Sequence, residues 1–247
     1  MEKLEMIREY SKLLKLNYLK TNVDKILETA AVKDMSYQDM LLSILKGEIS
    51  LKDKRAQEKR LKDAGFPVIK KIENFDFNFQ KSITKKQVNR LLEMDWIDRM
   101  HNLIFLGPPG VGKTHLAISI GYKAVEDGYK VSFVSMDKLM HFLKTKEISR
   151  ISKGKVNKIL SSNLVIIDEL GYLPITREEA NLFFQLITAL HEQASLIITS
   201  NKGFEEWAEL MGDAALTTAI LDRIAYRCEL FNTSGKSFRL EHRESIF

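Results

Sequence analysis

Cysteine is nearly absent from the sequence. Cys228 is the single cysteine among 247 residues. One thiol can form neither an internal disulfide nor a cysteine-based zinc cluster, so the fold cannot depend on either. This usage is typical of a reducing compartment, and we expect a cytoplasmic protein.

Long apolar runs are also missing. No stretch of about 18 apolar residues occurs, so the sequence predicts no membrane span and no membrane partner. The first ten residues mix charged and apolar side chains, whereas a signal peptide needs an unbroken apolar stretch. We see no internal repeat and no low-complexity tract. With 45% hydrophobic and 29% charged residues, the composition is that of an ordinary globular protein.

The first part of the chain predicts helices, because its apolar residues recur every three or four positions. Ser36, with Asp39 three residues later, is the expected N-cap of one helix, and Gly47 is its expected end. A charged helical stretch follows over 52–62, and Gly65 should break it. We predict a helical N-terminal domain over 1–71, followed by a linker with a lead-in helix over 72–101.

The remainder, 102–247, predicts an α/β domain. Short runs rich in β-branched and aromatic residues alternate there with helical stretches, the pattern of a parallel sheet covered on both faces. Five such runs predict a five-stranded parallel sheet between helices. The runs are 102–106, 130–134, 164–167, 196–199 and 229–232.

A glycine-rich loop follows the first run. Residues 107–114 read GPPGVGKT and precede a helical stretch, which is the context that a phosphate-binding loop (P-loop) requires. Lys113 can reach the β- and γ-phosphates of a nucleotide, and the Thr114 hydroxyl can bind Mg²⁺. We therefore predict a site for ATP and Mg²⁺. The predicted nucleotide-binding residues are Gly107, Pro108, Pro109, Gly110, Val111, Gly112, Lys113, Thr114 and His115.

Polar residues follow two further apolar runs. Residues 164–169 read LVIIDE, which predicts two carboxylates at the carboxyl edge of the sheet, beside the P-loop. Asp168 is the expected second Mg²⁺ residue, and Glu169 the residue that orients and polarises the attacking water. Asn201 follows the next run and could contact the γ-phosphate or that water. The segment that starts at Asn201 reads NKGF, and Phe204 stands where a guanine-reading motif needs an aspartate. Guanine specificity therefore has no support.

Six segments extend these motifs along the chain. They are FPVIKKIENFDF at 66–77, GPPGVGKTHLA at 107–117, IIDELGYLP at 166–174, TSNKGFEEW at 199–207, AILDRI at 219–224 and GKSFRL at 235–240. Together they resemble the IstB family of transposition helper ATPases. The chain is similar, less closely, to the DnaC-type helicase loaders of the same AAA+ clade.

The resemblance implies an AAA+ ATPase without a full lid domain that works as a homo-oligomer with a transposase. It implies that Arg223 is an arginine finger reaching a neighbouring subunit's ATP and that Asn201 is the sensor residue. Arg239 matches the arginine of the family's terminal Gly-x-Ser-x-Arg element and is assigned to the nucleotide site. The N-terminal region of the family is tied to self-association and DNA wrapping.

A basic stretch lies between the second and third runs, where the related clade carries a helical element that lines a central channel. Seven basic residues there face only Glu147, in a chain of formal net charge +5. Such a strip suits largely sequence-independent binding to DNA phosphates. The predicted DNA-binding residues are Lys144, Lys146, Arg150, Lys153, Lys155 and Lys158. The basic run at 52–62 is the alternative.

Two other functions stay open at this point. A replicative helicase loader would share every motif but have a helicase as its partner. A small-molecule P-loop kinase would need an acceptor pocket and an arginine-bearing lid. The carboxylate pair at Asp168 and Glu169 and the polar Asn201 favour activation of water over activation of such an acceptor.

Overall fold

The structure is a computed structural model that describes residues 2–172 and 174–243. Leu173, within the predicted GYLP segment, and the last four residues of the predicted α/β domain lie outside the described residues. By its contacts the chain divides into two compact units, one up to Lys59 and one from Arg60 onward. This division comes earlier in the chain than the boundary that we predicted at 71.

The first unit is helical, as predicted. It contains α1 (Glu2–Leu13), α2 (Asn17–Val32) and most of α3 (Tyr37–Ala64). Ser36 caps α3: its Oγ donates to Asp39 Oδ2 at 2.7 Å and accepts from the Asp39 amide at 3.1 Å. The predicted N-cap is therefore confirmed.

Gly47 does not end a helix, and the prediction that it would was wrong. Helix α3 continues through Gly47 and the charged stretch to Ala64, and Gly65 then takes a positive φ of 74°. Glycine inside a helix costs about 1 kcal/mol relative to alanine. A Cβ at Gly47 would lie 2.2 Å from Cε1 of Tyr18, so packing against that ring explains a mid-helix glycine.

The second unit is the predicted α/β fold. All five strands pair in parallel, in the order β2-β3-β4-β1-β5. The strands are β1 (Asn102–Leu106), β2 (Val131–Ser135), β3 (Leu164–Leu170), β4 (Ser195–Ser200) and β5 (Cys228–Asn232). The helices are α4 (Lys85–Leu91), α5 (Asp95–Asp98), α6 (Lys113–Glu126), α7 (Met136–Thr145), α8 (Arg150–Leu160), α9 (Arg177–Leu190), α10 (Phe204–Met211), α11 (Ala214–Ala225) and α12 (Phe238–Glu241).

The core lies on both faces of this sheet. Successive side chains of a strand point to opposite faces. In β1, Leu103 and Phe105 therefore join one apolar cluster, with α6, while Ile104 and Leu106 join the other, with α7 and α9. Because both faces of the inner strands are covered, β1, β3 and β4 are buried almost throughout, whereas the edge strand β5 is largely exposed. Among the described residues no helix is long and apolar enough to cross a membrane.

Candidate nucleotide-binding site

The carboxyl ends of the strands form one edge of the sheet, and the predicted site residues meet there. A cavity of about 600 Å³ opens at this edge. Its lining includes the P-loop from Pro109 to Thr114, His115, Glu169, Asn201 and Arg239. In open parallel sheets such an edge is where ligands bind. The tertiary structure therefore gathers most of the predicted nucleotide site around one cavity.

The P-loop packs directly against the segment that follows β5. A Cβ at Gly107, where φ is 147°, would lie 1.9 Å from the carbonyl oxygen of Thr233. A Cβ at Gly110 would lie 2.0 Å from Ser237 Oγ, and the Phe238 amide donates to the Gly110 carbonyl at 3.0 Å. These glycines are required by close packing as well as by positive φ.

Lys113 begins α6 and lies over the loop. Its Nζ donates to the carbonyl oxygens of Gly107 at 2.6 Å and Pro108 at 2.8 Å. Burial lowers the pKa of Lys113 below its ordinary value; Asp168 opposes this shift, and the Arg239 guanidinium adds to it. A partly desolvated ammonium at a helix N-terminus is suited to anionic phosphate oxygens.

Asp168 is held by two hydroxyl groups. Its Oδ1 accepts from Thr114 Oγ1 at 2.9 Å and from Thr199 Oγ1 at 2.5 Å. The carboxylate and Thr199 are both buried. Thr199, at the end of β4, was not singled out in the sequence. The signal was present, because Thr199 opens the TSN segment, but only the tertiary structure brings its hydroxyl to Asp168.

Glu169 sits on a strained piece of backbone. Its φ is 63°, in the left-handed region, which costs a non-glycine residue about 1–2 kcal/mol. The register of β3 against β4 shifts between Ile167 and Leu170, and the Glu169 amide donates to Thr199 Oγ1 at 3.0 Å. This bulge turns Glu169 out of the sheet, so its side chain is exposed and lines the cavity. Strain of this kind clusters at functional sites.

The residues at this edge fit a magnesium ion. Mg²⁺ bound with a nucleotide takes one or two protein oxygen ligands, and phosphate oxygens and water complete its shell. Thr114 and Asp168 supply a hydroxyl and a carboxylate that already touch each other. In the part of the chain that the structure describes, no group of three or more His, Cys, Asp or Glu side chains is placed to hold a metal ion. The donor set therefore suits a nucleotide-borne ion rather than an all-protein cage.

The opposite wall of the cavity comes from the segment that precedes α4. Its members are Ile69, Lys70, Asn74, Phe75, Asp76, Phe79 and Gln80. The Phe75 ring packs edge-on against His115 at 5.3 Å, and His115 Nε2 lies 3.1 Å from the Lys71 carbonyl oxygen. Burial lowers the pKa of His115, which favours the neutral imidazole near pH 7. This aromatic wall can accommodate a nucleotide base.

Gln80 joins three segments around the site. The side chain is buried, and its Nε2 donates to the Val111 carbonyl at 3.0 Å and to the Ser234 carbonyl at 3.2 Å. Its Oε1 accepts from the Ser82 amide at 2.9 Å and the Ser82 hydroxyl at 2.6 Å. A buried amide satisfied in this way ties the linker, the P-loop and the C-terminal segment together. The sequence analysis did not identify it.

The two predicted arginines lie in different places. Arg239 lines the nucleotide cavity of its own chain. Arg223, near the end of α11, lies instead in a small crevice beside Asn102, at the amino end of β1, and is not brought to that cavity. Its Nη1 donates to the Ala219 carbonyl at 2.8 Å, and its guanidinium lies 4.7 Å from the centre of the Phe184 ring.

The predicted DNA-binding residues lie on α7, α8 and the turn between them. Two of the six form ion pairs within the chain: Lys144 with Glu179 at 3.1 Å and Lys158 with Asp63 at 3.0 Å. The others have no ion pair among the described residues, and they are Lys146, Arg150, Lys153 and Lys155. These four residues without an ion pair are called the basic strip below.

The chain is similar to a known family over nearly its whole length. The sequence model of the IstB-like ATP binding protein family matches residues 10–245. An ATP-binding protein named for insertion sequence IS21 of Pseudomonas aeruginosa is 44% identical over 231 residues, 93% of this chain and 87% of the relative. One named for IS5376 of Geobacillus stearothermophilus is 38% identical over 239 residues, 97% of this chain and 95% of the relative.

The solved structures give the fold. The crystal structure of DnaI matches 66% of this chain and 90% of its own with a TM-score of 0.56 and 18% identity, a likeness that concerns the fold alone. The five-stranded parallel sheet, the P-loop after β1 and the acidic end of β3 are those of an α/β P-loop protein. With a family match over nearly the whole length, the chain belongs to the IstB-like ATP binding proteins.

Proposed function

We propose that this protein hydrolyses ATP within a homo-oligomer on DNA and thereby assists the transposase of its insertion sequence. One observation carries the ATPase: Thr114, Asp168 and Glu169 lie together at the P-loop, joined through the Thr199 hydroxyl. A carboxylate that can hold a metal ion and a second carboxylate free to polarise water are what hydrolysis of a phosphoanhydride needs.

Each residue at the site has a role in this proposal. The P-loop amides and Lys113 bind the β- and γ-phosphates, and Thr114 and Asp168 would hold Mg²⁺, which neutralises phosphate charge when bound. Glu169 orients the attacking water and takes up its proton. Asn201, at the same cavity, contacts the γ-phosphate or the water. Arg239 binds phosphate from within the same chain.

Arg223 supports an assembly. It lies in a crevice at the amino end of the sheet, whereas the P-loop lies at the carboxyl edge, so it is separated from its own nucleotide cavity. An arginine finger in this position serves a neighbouring subunit. Self-association also suits the first unit, because α3 leaves apolar side chains exposed at helical spacing: Tyr37, Leu41, Leu45 and Ile49.

The relatives bear on which of two partners the protein has. The proteins named above come from insertion sequences, which favours a transposase over a replicative helicase. The site favours a small-molecule kinase least, because Glu169 is suited to activating water and not a small-molecule acceptor. A transposase reading frame directly upstream would favour the proposed partner, and a replication gene would favour the helicase.

Thr199 is proposed as a positioning residue for hydrolysis. Thr199→Val keeps the shape of the side chain but removes the hydroxyl that contacts Asp168 and the Glu169 amide. Loss of such an outer hydrogen bond lowers activity by about 10–100-fold. We expect that fall in kcat with a small change in KM for ATP, and Thr199→Ser should restore most of the rate. Steady-state ATPase measurements would contradict the role if valine and serine variants behaved alike.

The basic strip is proposed to bind DNA phosphates. Each phosphate contact on duplex DNA contributes about −0.9 to the slope of log K against log salt. Changing Lys146, Arg150, Lys153 and Lys155 together to alanine should weaken binding on every sequence and flatten the slope by about 3 to 4. Fluorescence anisotropy with labelled duplex at several salt concentrations measures both.

Lys144 and Lys158 supply the matched control for that experiment. Their ammonium groups are already paired with Glu179 and Asp63, so changing both to alanine should alter the slope much less. ATP affinity should be unchanged in either variant, because none of these residues lines the nucleotide cavity. A wild-type slope in the quadruple variant would move DNA binding elsewhere, most plainly to 52–62.

A further inference from the structure

Two isoleucines are exposed at the turn between α7 and α8. Ile148 is 87% exposed and Ile151 is 75% exposed. Isoleucine is among the residues most often buried, so two neighbouring ones in solvent need a reason. Another face of α8 packs on the core through Val156 and Ile159, so the fold leaves this pair, here called the isoleucine tip, outside.

The surroundings of the isoleucine tip are basic. Lys146, Arg150, Lys153 and Lys155 lie within four residues of it along the chain, Glu147 is the one acid among them, and none of these four basic side chains is in an ion pair among the described residues. Ile151, Gly154 and Lys155 share one helix face, since they are spaced by three and four residues. A Cβ at Gly154 would meet nothing within 4 Å, so no packing within the chain explains a glycine there. Glycine at such a position permits close approach of another molecule.

We propose that the isoleucine tip is an apolar wedge for duplex DNA: Ile148 and Ile151 press against the base pairs of the minor groove while the flanking basic residues hold the phosphates. This inference rests on the proposed DNA binding and adds to it a contact with the base stack. A wedge contributes binding free energy that does not depend on salt, and it favours DNA that unstacks easily.

Charge complementarity selects this partner. Proteins that bind the minor groove combine arginine and lysine with apolar side chains, which they insert between base steps. The core of a protein–protein interface is depleted of lysine, and here lysines surround the tip. Binding in the plane of a membrane needs a broad apolar helix face, whereas α8, of its apolar side chains, exposes only Ile151 and Leu160, one at each end, and buries Val156 and Ile159.

The test separates the wedge from the charges. Ile148→Ser/Ile151→Ser should weaken binding to a short fluorescent duplex about tenfold at every salt concentration, as expected for lost apolar contact. The slope of log K against log salt should not change, because isoleucine displaces no counterions. The quadruple basic variant should do the opposite and flatten the slope. Val32→Ser is the matched control, since Val32 is 81% exposed without belonging to the tip.

A second measurement reports on unstacking. A single mismatch lowers the cost of opening the base stack, so the wild-type protein should prefer a mismatched duplex over the matched one. The double isoleucine variant should lose that preference, while the quadruple basic variant should keep it. ATP affinity should be the same in all variants, because the tip does not line the nucleotide cavity.

Several results would overturn the inference. Wild-type DNA affinity in the double isoleucine variant, or an equal loss in Val32→Ser, would reject the wedge and leave DNA binding by charge intact. Absence of any binding by the wild-type protein would reject the wedge and the proposed DNA function together. Binding to vesicles of phosphatidylserine and phosphatidylcholine that requires the isoleucines, without any effect on DNA, would assign the tip to a membrane surface instead.

Discussion

Replacing Arg223 by alanine is expected to lower ATP turnover by about 10³–10⁵, the contribution of an arginine finger in related phosphoryl transfer. The physical reason is the loss of a guanidinium from the neighbouring subunit's γ-phosphate as charge develops in the transition state. ATP affinity should change little, because Arg223 does not line the cavity of its own chain. Turnover is measured by phosphate release at saturating ATP.

Mixed assemblies decide whether Arg223 acts between subunits. Arg223→Ala subunits keep an intact site, and Glu169→Gln subunits keep an intact finger, so mixing the two inactive proteins should recover part of the activity. Arg239→Ala is the matched control, because Arg239 lines the cavity of its own chain. A mixture of Arg239→Ala and Glu169→Gln subunits contains no intact site and should stay inactive. Equal inactivity of both mixtures would contradict the role of Arg223.

Replacing Glu169 by glutamine is expected to lower kcat by about 10²–10⁴, the range for a general base. Glutamine has nearly the same size, but its amide cannot take up the proton of the attacking water. ATP affinity should remain close to that of the wild type, since Lys113, Thr114 and Asp168 keep their contacts. Nucleotide binding by filter assay and phosphate release under single-turnover conditions measure the two effects separately.

Lys113→Ala provides the contrast for that measurement. It removes the ammonium that neutralises phosphate charge, so ATP binding itself should weaken. If Glu169→Gln, like Lys113→Ala, lowered turnover only by weakening ATP binding, Glu169 would not be the base. Unchanged turnover in Glu169→Gln would reject the assignment outright.

The sequence by itself determined the sheet and the phosphate loop. Each of the five runs became a strand, and the runs of β1, β3 and β4 were the plainest, because a strand buried on both faces must be apolar along most of its length. The loop at 107–114 could be predicted because its turn and its lysine are close in sequence: Lys113 Nζ reaches the carbonyl oxygens of Gly107 and Pro108, six and five residues away. Asp168 and Glu169 followed from their place at the end of β3.

Only the tertiary structure decided which distant side chains meet. Gln80 contacts residues 31 and 154 positions away, and Thr199 reaches Asp168 across 31. Lys144 and Lys158 look in the sequence like charges available to DNA, but they pair with acids 35 and 95 positions away. The sequence predicted a helix end at Gly47, but this glycine lies inside α3, where the ring of Tyr18 packs against it.

The tertiary structure also decided where the two arginines lie and that the isoleucines of the tip are exposed. The resemblance assigned Arg223 to a neighbouring subunit's ATP and Arg239 to the nucleotide site, and in the fold Arg223 lies in a crevice at the amino end of the sheet while Arg239 lines the cavity at its own P-loop. The periodicity of α8 does not say which of its isoleucines faces solvent. Propensity, apolar periodicity and loop chemistry act over a few residues and can be read along the chain. The partners and exposure of a side chain depend on how separate segments pack, and that is settled only when the whole chain folds.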